Sequence, residues 1–236
     1  MTTFKTLLAS AAAIGLASTA GAAILPLDDF NTAFPGQPIF TDGAVVSTGP
    51  QVISVSGNDF TRTASIEVDF NSNGFPSGAQ FRTDSGNFVY SSDTGVAGIV
   101  TLDYDVGSTF FDAATTAGTG AIRIQELTAD RPRTYSFAIN GAVQDTIVSL
   151  IDTELGFPTV YELTFDTSAL TGSDTLSLVI DAGAEGSLGD ALDLELSILD
   201  IRLPDAPIEQ VPAPGALGLL GLGVLGLGLA RRRKSV

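Results

Sequence analysis

The sequence predicts an all-β fold, an antiparallel β-sandwich or jelly roll spanning residues 23–203, on three observations. Apolar and polar residues alternate over eleven short stretches, Gly, Asn, Asp, Ser and Pro separate those stretches, and no amphipathic helical pattern intervenes. Period-two alternation places successive side chains on opposite faces, so each stretch reads as a half-buried strand. That many short strands without helices must bury their apolar faces against one another, which two packed sheets accomplish.

The predicted strands are Gln51–Ser56, Thr63–Phe70, Gln80–Thr83, Phe88–Ser91, Ile99–Tyr104, Ala121–Leu127, Thr134–Ile139, Thr146–Ile151, Val160–Phe165, Thr175–Ile180 and Leu192–Leu203. Asn140-Gly141 has the residues of a type I′ hairpin turn, which needs two consecutive positive φ angles. Within Leu192–Leu203 the parity changes: Leu192, Leu194, Leu196 and Ile198 share one, and Leu199, Ile201 and Leu203 the other. A bulge near Ile198-Leu199 would turn both sets to the core. Ala113–Gly120 reads as a flexible loop, and Pro204–Gln210 as an extended linker.

Composition limits the chemistry. All 27 acidic residues, but only six of the 11 basic ones, fall within 24–210, giving that segment a net charge of −21. Such a charge opposes nucleic acid and other polyanions and favours cations. Its six cations are Arg62, Arg82, Arg123, Arg131, Arg133 and Arg202, and it contains no Lys, His, Cys, Trp or Met. A thiol nucleophile, a Ser-His pair and imidazole or thiolate metal ligands are therefore excluded, and the body is expected not to be an enzyme. Paired carboxylates still permit a glycosidase, the least favoured of the readings.

Three constellations bear on chemistry. Asp69, Asn71 and Asn73, followed by Gly74, match the first half of a calcium loop, in which oxygen ligands fall at alternate positions. The second half fails, because Gln80 stands where a bidentate Glu belongs. A polar turn between two strands is the simpler reading. Asp84-Ser85-Gly86 and Asp93-Thr94-Gly95 look like aspartic-protease triplets, yet nine residues apart they read as turns at the two ends of one strand. Among the later acids, Asp193 and Glu195 alternate with leucines on a solvated face, while the alternative is a calcium site at a sandwich edge held by the loop carboxylates Glu185 and Asp190 with backbone carbonyls of the Gly-rich Ala182–Gly189 segment. Tyr104, between Asp103 and Asp105, is the tyrosine expected beside polar groups.

The two ends of the chain carry addresses. Lys5, the apolar run Leu7–Ala17 and Ala20-Gly21-Ala22 form a secretory signal peptide over residues 1–22, to be removed by signal peptidase. At the other end, residues 211–236 comprise Val211, Pro212, Ala213, Pro214 and Gly215, a Gly/Leu run over 216–230, and then Arg231, Arg232, Arg233 and Lys234. As a helix the run extends roughly 22 Å, short of the roughly 30 Å hydrocarbon core, so it is marginal as a permanent anchor. The basic cluster should stay cytoplasmic and leave everything before it outside.

This order of Pro motif, Gly/Leu segment and terminal basic cluster resembles the PEP-CTERM sorting signals of Gram-negative bacteria, in the V-P-x-P variant, with Ala213 in place of the Glu. The resemblance implies processing by an exosortase-type membrane protease near Val211–Gly215 and an exopolysaccharide setting. A non-enzymatic protein of the envelope, cell surface or extracellular matrix is the function expected. The alternative is a calcium-stabilised carbohydrate-binding or adhesive module.

Overall fold

The computed structural model describes residues 23–73, 77–107, 110–111, 117–149, 158–183 and 191–204. Ala22–Pro207 form one compact unit, to which every residue of the described core belongs. In chain order the strands are β1 (Ile24–Asp28), β2 (Ile39–Thr41), β3 (Val46–Ser47), β4 (Gln51–Val55), β5 (Asn58–Asn71), β6 (Ala79–Asp84) and β7 (Asn87–Ser92). They continue with β8 (Val96–Val106), β9 (Thr119–Ala129), β10 (Arg133–Ile139), β11 (Ala142–Ser149), β12 (Thr159–Asp166), β13 (Asp174–Asp181) and β14 (Asp193–Arg202).

Two antiparallel sheets form a sandwich. The first runs β12-β9-β14-β7-β6-β2, with β1 added beside β14; the second runs β11-β10-β13-β8-β5-β3, with β4 added beside β5. All eleven predicted strands are present. Their inward positions meet in one core, where Phe34 lies edge-on to Phe81 at 5.0 Å and Phe60 edge-on to Phe110 at 5.4 Å. Edge-to-face contacts place the positive rim of one ring on the negative face of the other, which adds to the gain from area burial.

Turn chemistry sets the registers. Asn140 (φ 51°) and Gly141 (φ 78°) form the expected I′ turn, and Ile139 pairs with Ala142 across it. Ser56-Gly57 and Ser85-Gly86 take the same pair of positive φ angles between β4 and β5 and between β6 and β7. The parity change in β14 is also present, with a correction to its place. Pairing with β9 shifts on either side of Leu196, and Ile198 is left 41% exposed, while Leu196, Leu199 and Ile201 are buried. The bulge therefore falls at Ser197-Ile198, and Ile198 does not join the core. A second correction concerns Ala113–Gly120, whose end belongs to β9. A Cβ on Gly120 would come within 2.6 Å of the Phe165 ring, so the glycine serves the packing of β9 on β12 and not loop flexibility.

Candidate functional site

β14 decides where the ends of the domain emerge. Its first half pairs with β7 and its second half with β1, from Ile24 opposite Arg202 to Asp28 opposite Leu199. Leu203 N–H then donates to the Ala23 carbonyl at 2.9 Å. The chain enters and leaves the described sandwich at one place, on neighbouring antiparallel strands.

Two adjoining grooves lie beside that exit. One, of about 320 Å³, is lined among others by Gly120, Glu162, Thr164, Arg202, Leu203 and Pro204. The other, of about 660 Å³, shares Thr119 and Thr164 with it and adds Gln144, Asp166 and Ser168. On the neighbouring sheet surface Arg123 stands 3.7 Å from Glu162 and 3.5 Å from Asp200, and Arg202 stands 3.8 Å from Glu162. Burial raises the Asp200 carboxyl, which Arg123 lowers and Glu162 raises further. Both carboxylates thus face one guanidinium, an arrangement suited to holding polar groups. Glycoside hydrolysis instead needs two carboxyl groups divided between acid and base roles across a bond.

Two polar clusters are buried between the sheets. Arg62, wholly buried, donates to Asp28 Oδ2 at 2.8 Å, to the Thr32 carbonyl at 2.6 Å and to Gln51 Oε1 at 2.8 Å, and its guanidinium lies 4.0 Å from the centre of the Phe34 ring. Tyr104 donates to Asp28 Oδ2 at 2.9 Å, as the expectation of polar neighbours required, but with no exposure to solvent. In the second cluster Arg133 and Tyr135 both donate to Glu126, and Tyr161 shares a hydrogen bond with Ser149. Burial pushes the Asp28 carboxyl up despite the opposing pull of Arg62, and pushes the Tyr104 and Tyr135 hydroxyls well up. These clusters tie one sheet to the other.

The predicted ligand positions divide. Asp69 is exposed near the end of β5, and Asn71 ends that strand. Asn71 Oδ1 accepts from Asn73 N–H at 2.8 Å, Asn71 Nδ2 donates to the Ser77 carbonyl at 3.1 Å, and Asn73 Nδ2 donates to the Thr94 carbonyl. The flanks are strands, as the sequence indicated. Glu185 and Asp190 lie outside the described residues, as do Val211–Gly215 and Arg231–Lys234. Among the described residues no three acidic side chains converge as metal ligands, and no helix is long and apolar enough to cross a membrane. The two Asp-containing triplets are turns at opposite ends of β7: Asp84 stands 3.8 Å from Arg82, and Asp93 Oδ2 accepts from Gly78 N–H at 2.9 Å.

The C-terminal segment is decided by comparison with known families. Residues 210–234 match the PEP-CTERM protein-sorting motif. The chain is thereby marked for export, with attachment to the membrane through a C-terminal sorting signal. No curated protein matches the chain in sequence. Among solved structures the chain is similar to the carbohydrate-binding module CBM6cm-2 from Cellvibrio mixtus lichenase 5A in complex with cellotriose, at 10% identity over 78% of this chain and 98% of that one, with a TM-score of 0.33. It is similar also to a family 35 carbohydrate-binding module from Clostridium thermocellum, at 11% identity over 70% and 98%, with a TM-score of 0.34. A third is the family 11 carbohydrate-binding module of the cellulosomal cellulase Lic26A-Cel5E of Clostridium thermocellum, at 10% identity over 78% and 96%, with a TM-score of 0.29.

Proposed function

We propose that this chain is a non-enzymatic surface or matrix protein, delivered to the cell envelope or its exopolysaccharide by its C-terminal sorting signal. The carrying observation is the PEP-CTERM match over residues 210–234, which follows in sequence a sandwich whose last described strand ends at Arg202. In this reading the signal peptide starts export, the Gly/Leu segment halts in the membrane, and Arg231–Lys234 hold the tail cytoplasmic. An exosortase-type protease then cuts near Val211–Gly215. Composition supports a non-enzymatic body, since 24–210 has no Lys, His or Cys to serve as base or nucleophile.

Fractionation of an exosortase-bearing Gram-negative host tests this reading. The full chain should appear in the envelope or matrix as a form shortened at its C-terminus, and a chain ending at Gln210 should be released instead. In a host without the protease the precursor should remain uncut in the membrane. The same size and fraction with and without 211–236 would sink the proposal.

The calcium-stabilised reading is narrower. Asp69 with Asn71 and Asn73 would form one site, and Glu185 with Asp190 a second. A ligand that binds only the folded state stabilises it by mass action, so calcium at a hundredfold excess over its Kd should raise the unfolding midpoint of the domain by roughly 5–10 °C, with magnesium ineffective. An unchanged midpoint would remove both sites.

A further inference from the structure

We propose that the outer face of the sheet formed by β2, β6, β7 and β14 is a platform for a neutral, β-linked oligosaccharide, with Phe40 as its stacking ring. This deepens the matrix reading above and rests on it, by naming the partner chemistry and the surface.

Phe40 is 52% exposed, and no other aromatic residue is exposed among the described residues. A single exposed apolar side chain is ordinary on a protein surface. Its support and its neighbours set this one apart. A Cβ on Gly78 would lie 2.5 Å from Phe40 Cζ and 2.2 Å from the Thr41 carbonyl oxygen, so the ring tip rests directly on bare backbone. The ring is thus held in place before any ligand arrives, which spares a ligand the entropy of ordering it.

Across the sheet from Phe40 the pairing registers give one straight row, Phe40, Gln80, Ser91, Asp193, on four adjacent strands. At one interstrand spacing per step the row is roughly 14 Å long, the scale of an oligosaccharide. Arg82, Val89 and Glu195 form the next row. The polar members of these rows retain hydrogen-bonding capacity. Among the described residues Gln80 donates to Ser91 Oγ at 3.2 Å and its side-chain oxygen accepts no hydrogen bond, while Arg82, 39% exposed, lies 3.8 Å from Asp84 and also attracts the Asp193 carboxylate. The Asp193 backbone is fixed by its N–H donating to Asp130 Oδ1 at 2.9 Å, while among the described residues none donates a hydrogen bond to its carboxylate.

A pyranose with equatorial hydroxyls matches this set. Its C–H face is apolar and stacks on a ring, while neighbouring hydroxyls bridge a carboxylate and an amide or guanidinium. Asp193 and Glu195 on the same face, in a segment of charge −21, oppose an acidic glycan. Within this face Asn87 Nδ2 donates to Glu195 Oε1 at 2.6 Å, which leaves Asp193 as its freer carboxylate. The outer face of the other sheet has no exposed ring among the described residues. There Thr175 donates to Asp105 Oδ1 at 2.8 Å and Ser177 donates to Asp103, so hydroxyls and carboxylates are consumed by each other.

Electrophoresis of the unit Ala22–Pro207 through native gels containing mixed-linkage β-glucan, or polygalacturonate as the polyanion, tests the platform. The parent should be retarded by β-glucan alone. Phe40→Ala should weaken that retardation about tenfold or more, as loss of an interface anchor does, and Phe40→Tyr should keep it. The thermal midpoint of Phe40→Ala should stay near that of the parent, because the ring lies outside the core. No retardation of the parent, equal retardation of Phe40→Ala, or retardation by polygalacturonate would overturn the proposal. Fractionation of the full chain carrying Phe40→Ala keeps the two readings separable: sorting should be unchanged, so failure of the platform leaves delivery standing.

Discussion

Replacing Arg62 by leucine is expected to lower the unfolding free energy by about 3–5 kcal/mol at neutral pH, the usual cost of removing one partner from a buried ion pair. Arg62 and Asp28 are both essentially inaccessible to solvent and meet at 2.8 Å. Without the guanidinium, Asp28 would retain the Phe30 N–H and the Tyr104 hydroxyl as donors but no countercharge. Thr32, which gives Arg62 its carbonyl, belongs to the irregular segment after β1, so the loss also loosens the strand pairing of Ile24–Asp28 with β14. The pH dependence has a definite sign. Burial already makes Asp28 hold its proton more tightly in the fold than at its reference value of 3.8. Its contribution is therefore full below that value and is lost as pH rises through the higher folded value. Removing Arg62 enlarges the loss at neutral pH and spares the protonated state. Urea unfolding should show the deficit shrinking on acidification, and Asp28→Asn placed on top of Arg62→Leu should recover part of it. A deficit independent of pH, unaffected by Asp28→Asn, would mean that Arg62 acts through packing alone.

Strand positions were legible in the sequence because polar residues predominate at outward positions, exposed valines such as Val52 and Val160 being exceptions, and the same alternation contained more than the fold class. Phe60, Arg62, Ala64 and Ile66 share one parity, as do Arg133, Tyr135, Phe137 and Ile139, and Glu126 continues Ile122 and Ile124. Both buried clusters were therefore marked as inward-pointing charges in inward-pointing apolar rows. What alternation could not supply was the partner: Asp28 lies 34 residues before Arg62, on a strand not visible by periodicity. β1 carries Pro26, which cannot donate to a ladder, and its register slips between Pro26 and Asp28. β2 and β3 have three and two residues, too few for any period to show. Periodicity does not mark Phe40 for that reason, since an aromatic on a three-residue strand reads as core until its face is known. Alternation also could not see that Ile198 would turn outward, because a bulge conserves the number of inward leucines whether it falls before or after that residue.

Alkali should unfold this domain steeply, and the cause is three of its four tyrosines. Tyr90, Tyr104 and Tyr135 are at most 1% exposed. Burial pushes the Tyr90 hydroxyl up to about 12 and those of Tyr104 and Tyr135 well above 10. The latter two are raised further by Asp28 and Glu126, the carboxylates they donate to, since a phenolate there would set two anions side by side in the core. Each group binds its proton more tightly in the fold than in the unfolded chain, where it titrates near 10. Each therefore stabilises the fold fully below that pH and ceases to do so as pH rises through the folded value. Above the unfolded value the loss is about 1.4 kcal/mol per pH unit for each group, or about 4 kcal/mol per unit for three, against a total stability of about 5–15 kcal/mol for a domain. Loss of the β-sheet circular dichroism signal should coincide with a jump in phenolate absorbance corresponding to three tyrosines. Tyr135→Phe should lower the dependence on pH by about a third, although removing the hydroxyl that donates to Glu126 should cost stability at neutral pH. If two or more phenols ionised while the sheet signal stayed native, these hydroxyls would not be sealed between the sheets, and the tie between Tyr104, Asp28 and Arg62 would have to be redrawn.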